Sequence, residues 1–114
     1  MPLAIVTGRP RRDAERFLAE RGVLHLFQTL VCMEDAPLKP DPAPVRLALA
    51  RLGVQAAWMF GDTPDDVRAA RAAGVLPIGV CAPQDPFDRA ERALTAAGAA
   101  RVFATPLAFV ELLP

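Results

Sequence analysis

MFGDTPDDVRAARAAG, residues 59–74, is the stretch that decides the fold. The apolar run Ala57–Phe60 reads as a strand and ends at Gly61-Asp62. Thr63 then supplies an N-cap hydroxyl, and Pro64 suits a first helical turn. Val67, Ala70, Ala73 and Gly74 fall on one helical face, and their small size permits close packing on a sheet. A strand, a tight turn and a helix within so few residues make one half of a βαβ unit.

The same rhythm continues in both directions. Toward the C-terminus, Pro77–Val80 reads as a strand and 82–88 as a proline-bearing loop. A helix near 87–97 puts Phe87, Ala90, Leu94 and Ala97 on one side. Arg101–Ala104 is a short strand, and Thr105-Pro106 starts a last helix carrying Leu107, Val110 and Leu113. Toward the N-terminus, Asp41 and Pro42 open a helix whose face is Val45, Ala48, Leu49 and Leu52, and Gly53 stops it. Before it lies DAPLKPDPAP, residues 35–44, a stiff loop with four prolines. Gln28–Met33 is a strand, and a helix with Ala14, Phe17 and Leu18 on one face runs to Gly22. Leu3–Val6 is the first strand and ends at Thr7-Gly8. Strands alternating with helices predict one α/β domain over residues 1–114. The expected architecture is a three-layer, Rossmann-like parallel sheet of about five strands with helices on both faces.

Composition narrows the function classes. Thirteen basic residues balance thirteen acidic ones, which leaves no electrostatic footprint for nucleic acid or an anionic membrane. No apolar run approaches the ~18 residues of a membrane span. The charges of MPLAIVTGRPRR follow its apolar stretch, opposite to a signal peptide, so the expectation is a cytoplasmic protein. Cys32 and Cys81 then read as buried thiols. A single histidine, His25, and no CxxC leave no zinc ligand set, and the absence of serine excludes a Ser-His-Asp triad. Twelve of the thirteen basic residues are Arg, so the one lysine, Lys39, stands out within PLKPDP as a place where an ammonium is wanted.

In an open α/β sheet, ligands bind beyond the C-terminal strand ends. Thr7-Gly8, Lys39 and the Asp62–Asp66 cluster all follow strands, so they converge on one sheet edge. Gly8 lets the backbone approach an oxyanion, and the Thr7 hydroxyl can donate to it. Lys39 would neutralise phosphoryl charge. Asp62 and Asp66 offer hard oxygen ligands to one Mg²⁺, which would also relieve their mutual repulsion. Each signal alone has a plain structural reading: a turn, a proline-rich loop, a capped helix start. Their order and shared strand-end placement favour a site.

These motifs resemble the haloacid dehalogenase-like superfamily of Mg²⁺-dependent phosphohydrolases. LAIVTGRP looks like its second motif, Lys39 in KPDP like its third, and GDTPDD running into a helix like its fourth. The style is that of the subfamily containing phosphoglycolate phosphatases. The resemblance implies catalytic or binding roles for Thr7, Gly8, Lys39, Asp62 and Asp66. Thr7 and Gly8 would hold a phosphoryl oxygen, Lys39 would neutralise charge, and Asp62 would ligate Mg²⁺. Asp66 would act on the metal through water or by orienting Lys39. The family's first motif, a DxD strand carrying the nucleophile, has no counterpart here, since no Asp precedes Thr7. The cap domain is absent too. The chain therefore looks like the C-terminal part of a truncated phosphatase core, holding Mg²⁺ weakly and inactive alone.

Three readings follow: a phosphatase core short of its first motif, a non-catalytic phosphate- or partner-binding domain, and a protein that completes another chain's sheet. In the family the first-motif strand is central. Its absence should leave Leu3–Val6 and Ala57–Phe60 without their shared neighbour. The expected results are direct pairing of those two strands, a second chain or self-association at the gap, or poor solubility.

Overall fold

Helix ends fix the frame of this protein. The computed structural model describes residues 1–111. Its elements are β1 (Ala4–Val6), α1 (Arg11–Glu20), β2 (Thr29–Val31), α2 (Ala43–Leu52), β3 (Trp58–Gly61), α3 (Pro64–Ala72), β4 (Leu76–Val80), α4 (Phe87–Ala97), β5 (Arg101–Phe103) and α5 (Pro106–Val110), with a 3₁₀ turn at Leu24–Leu26. The Thr63 hydroxyl accepts from the Asp66 amide, and the Asp66 carboxylate accepts from the Thr63 amide, so α3 opens with a reciprocal capping box. The Thr105 hydroxyl starts α5 by accepting from the Ala108 amide. Asp41 caps α2 from one residue further out than the sequence suggests, accepting from the Ala43 amide at 2.8 Å.

Every strand pairing is parallel, but the strands form two sheets. β1 pairs with β2, and β3, β4 and β5 pair in that order. The expected five strands are present, and the sheet is divided where the family's central strand is missing. β1 and β3, the strands that border the division, do not pair with each other, and no strand of the described residues lies between them. Of the three outcomes foreseen for this gap, direct pairing is therefore excluded.

Helices cover both faces. Ala14 and Leu18 of α1 pack on Ile5, Leu30 and Cys32, while Val31 alternates to the opposite face, where α2 lies. On the same side as α2, a second cluster joins Val45 to Ala69, Ala70, Val75 and Met59. Small residues let α3 sit close to the strands, as the sequence suggests, and the fully buried Ala69 joins the face read there. Other faces differ from expectation. Phe17 is exposed and stacks beneath the Arg21 guanidinium, 3.7 Å from the ring centroid, rather than entering the core. In α4 only Leu94 is buried, and Phe87 is exposed. His25 lies exposed in the 3₁₀ turn, and Leu113 falls outside the described residues. Cys32 and Cys81 are buried free thiols. No described helix is long and apolar enough to cross a membrane.

The outer edge of β2 is closed by charge. The Leu30 carbonyl accepts from the Arg11 guanidinium of α1 at 2.9 Å and from that of Arg51 of α2 at 3.0 Å. Asp35 holds this fork in place: its carboxylate accepts from the Cys32 amide at 2.8 Å and pairs with Arg11. An edge that would otherwise offer free backbone acceptors is thereby blocked. The Cys32 amide, and after it Arg11, hold the Asp35 carboxyl below the usual carboxylate range.

Because its folded pKa lies below the unfolded value, Asp35 contributes full stability above about pH 4 and loses it as pH falls through the lowered folded value. Asp35→Asn should lower the unfolding free energy at pH 6, because the neutral amide leaves Arg11 without its anion. Urea melts of both proteins at pH 6 and pH 3 should show that difference shrinking in acid.

Candidate functional site

The second and third strand-end segments meet at one ammonium. Lys39 projects from the proline-rich loop after β2, and its Nζ donates to the Val6 carbonyl of β1 at 3.2 Å. The same Nζ lies 2.6 Å from Oδ1 of Asp66, in the first turn of α3. Both side chains are largely shielded, 17% and 12% exposed, so this pair is stronger than a surface one. Asp66 is the one buried charged residue among the described residues. Its other oxygen, Oδ2, accepts from the amides of Asp62 and Thr63, each at 3.2 Å. One carboxylate thus caps a helix and holds a lysine.

This polar path also measures the division between the sheets. Val6 points its carbonyl away from β2, because Leu3 and Thr7 bond to that side. Asp62 likewise points its amide away from β4, because Ala57 bonds there. Links of 3.2, 2.6 and 3.2 Å join these two groups across the slot between β1 and β3. A cavity of about 450 Å³ opens there, lined by Ile5, Val6, Thr7, Lys39, Phe60, Gly61, Asp62, Asp66, Val80 and Pro106. Its walls are apolar, and its strand-end mouth carries the hydroxyl, the ammonium and both carboxylates.

Four of the five residues singled out by sequence therefore line one cavity. The Thr7 hydroxyl accepts from the Arg9 amide at 3.1 Å, which leaves its proton free to donate. Gly8 lies apart, on a far smaller cavity of about 10 Å³ behind Thr7 and Lys39. Asp62 is exposed at the mouth, and its carboxylate makes no hydrogen bond or ion pair among the described residues. Sequence reading missed Phe60, Val80 and Pro106 as walls. Their apolar character offered only a strand or helix signal.

The donor set fits a divalent cation in part. Asp62 can offer a free carboxylate, whereas both Asp66 oxygens are engaged by Lys39 and by backbone amides. No group of three or more His, Cys, Asp or Glu is gathered for a metal among the described residues. Asp62 is the residue able to ligate directly, and Asp66 orients Lys39.

A family model for haloacid dehalogenase-like hydrolases matches residues 1–80. The chain is similar to an imidazoleglycerol-phosphate dehydratase of Phytophthora nicotianae, 50% identical over 84 residues, covering 72% of this chain and 19% of that protein. It is similar to a phosphoglycolate phosphatase of Pectobacterium atrosepticum, 35% identical over 83 residues, covering 70% of this chain and 36% of the phosphatase. The solved structure of a candidate β-phosphoglucomutase from Thermotoga maritima superposes with a TM-score of 0.84 at 29% identity, over 99% of this chain and 54% of that one. The chain therefore spans about half or less of the length of these relatives.

The two acids should behave differently on substitution. Asp66→Ala removes the cap of α3 and leaves Lys39 without its carboxylate, which should cost about 2–3 kcal/mol. Asp62→Asn should stay within about 0.5 kcal/mol of the parent, as exposed positions do. Urea denaturation followed by far-UV circular dichroism would separate them.

Proposed function

The chain belongs to the haloacid dehalogenase-like hydrolase family, and we propose that its strand-end site binds the phosphoryl group of a phosphate monoester as part of a Mg²⁺-dependent phosphatase. The observation that carries this reading is the convergence of Thr7, Lys39, Asp62 and Asp66 on one cavity at the C-terminal strand ends. There the Thr7 hydroxyl donates to a phosphoryl oxygen, and Lys39 neutralises phosphoryl charge while Asp66 and the Val6 carbonyl keep its ammonium aimed. Mg²⁺ on Asp62 would supply a Lewis acid for the phosphoryl oxygens. Apolar walls behind the mouth lower the local dielectric and strengthen each of these interactions.

Turnover needs a nucleophile these 114 residues lack. Thr7 has no base bonded to its hydroxyl, Asp66 is committed to Lys39, and Asp62 would serve the metal. The family resemblance implies that an aspartate attacks phosphorus, forming an aspartyl-phosphate and releasing the alcohol, and that water then cleaves the acyl phosphate. We place that aspartate on a strand seated in the slot between β1 and β3, contributed by a complementing segment. The absence of any described strand paired with β1 or β3 on the slot side, and the exposed Trp58 and Phe60 of β3, support this partner. The same features favour association over free phosphate binding as the role of the chain by itself. The buried free thiols suit the reducing cytoplasm.

Incubation of the pure chain with an aryl phosphate and Mg²⁺ should release no alcohol. Turnover that Asp62→Asn abolishes would overturn the need for a complementing strand. Titration with inorganic phosphate and Mg²⁺, followed by amide NMR, should shift Thr7, Lys39 and Asp62 first. Shifts confined to the region of His25 would remove the site.

A further inference from the structure

We infer that Gly61 is a positioning residue for Lys39, acting through Asp66; the inference deepens the phosphate-site reading and rests on it only for its functional meaning. Gly61 ends β3 and precedes Asp62. Its φ is not in the left-handed region, so its backbone does not call for glycine. What calls for glycine is space. A Cβ at position 61 would stand 2.3 Å from Cβ of Asp66 and 2.8 Å from both its Cγ and its Oδ2. Such distances are closer than atoms in contact allow. Gly8, the other strand-end glycine of the region, differs: a Cβ there would meet only Leu38, at an ordinary 3.6 Å.

The collision at Gly61 has no cheap escape. The nearest atom is the Cβ of Asp66, which is fixed to the backbone of the first turn of α3 and does not swing with side-chain rotation. Any residue larger than glycine must therefore push the start of α3 away from β3. That movement withdraws the carboxylate from the amides of Asp62 and Thr63, 3.2 Å away, and from the Lys39 ammonium at 2.6 Å. Lys39 would keep the Val6 carbonyl and lose its anionic partner. The glycine thus sets the reach between α3 and the loop that carries Lys39, across the slot that separates the two sheets.

Lys39 is the only lysine, so its state can be read without activity, phosphate or metal. The measurement is the rate at which an amine-acylating reagent modifies Lys39, relative to the N-terminal amine, by peptide mass spectrometry of the full chain. Side-chain NMR of the single lysine ammonium accompanies it. Gly61→Ala should raise the relative modification rate by at least about fivefold, as Asp66→Asn should, and should shift or broaden the ammonium signal. A folded Gly61→Ala protein whose Lys39 rate stays within about twofold of the parent would overturn the inference. Should Gly61→Ala fail to fold, the background Asp66→Gly decides: it removes the colliding Cβ and already frees Lys39. There, adding Gly61→Ala should change neither the melting temperature nor the Lys39 rate. A further large loss in that background would overturn the role assigned to Gly61. None of these readouts depends on phosphate binding, so failure of the phosphate reading would leave them unchanged.

Discussion

One ammonium spans this molecule. Lys39 donates to the Val6 carbonyl at the border of the first sheet and pairs with Asp66, whose carboxylate is anchored at the border of the second. No backbone ladder joins the two sheets, so this short polar path, together with α2 packed between β1, β2 and α3, sets how they stand to each other. A shielded ion pair of this kind contributes little if its partners are loosely held, because desolvation offsets the attraction. Here both partners are held. The Lys39 ammonium has a second acceptor, and Asp66 is fixed by a capping box and seated against a glycine.

The same path places the chemistry. Strands that run in parallel deliver their C-terminal ends to one side, and the loops that follow them carry Thr7, Lys39 and the Asp62–Asp66 turn. The cavity between β1 and β3 therefore joins a polar mouth to an apolar trough. A polar mouth alone would describe a ligand site. The trough adds a structural demand, because Val6 and Phe60 turn backbone groups toward it and the exposed Trp58 and Phe60 flank it. At the opposite border the Arg11–Asp35–Arg51 fork closes the edge of β2, whereas on the slot side a single ammonium, Lys39, meets the β1 backbone.

Much of this was legible in residue order. The five strands and the caps at Thr63 and Thr105 came from local chemistry that tertiary contacts did not override. The convergence of Thr7, Lys39, Asp62 and Asp66 followed from strand-end logic alone. What sequence could not supply was competition for contacts. Phe17 and Phe87 fit apolar helical faces, yet the described elements leave no strand for them to cover, and Phe17 is satisfied by Arg21 instead. Gly8 does not line the large cavity; it lines the smaller one together with Thr7 and Lys39. The role of Gly61 depends on a distance between strand and helix, which no periodicity encodes. The division of the sheet was foreseeable from the family pattern. That the flanking strands stay apart rather than pair depends on the brace between them.

Amide hydrogen exchange tests the open slot most directly. Ile5 and Met59 bond into their own sheets, whereas Val6 and Phe60, one residue on, face the slot. In the chain alone, the Val6 and Phe60 amides should exchange far faster than those of Ile5 and Met59, an alternation along each strand that local unfolding would not produce. Equal protection of Val6 and Phe60 with their neighbours would mean that the two border strands are paired, and would contradict the open slot on which the site and its partner are built.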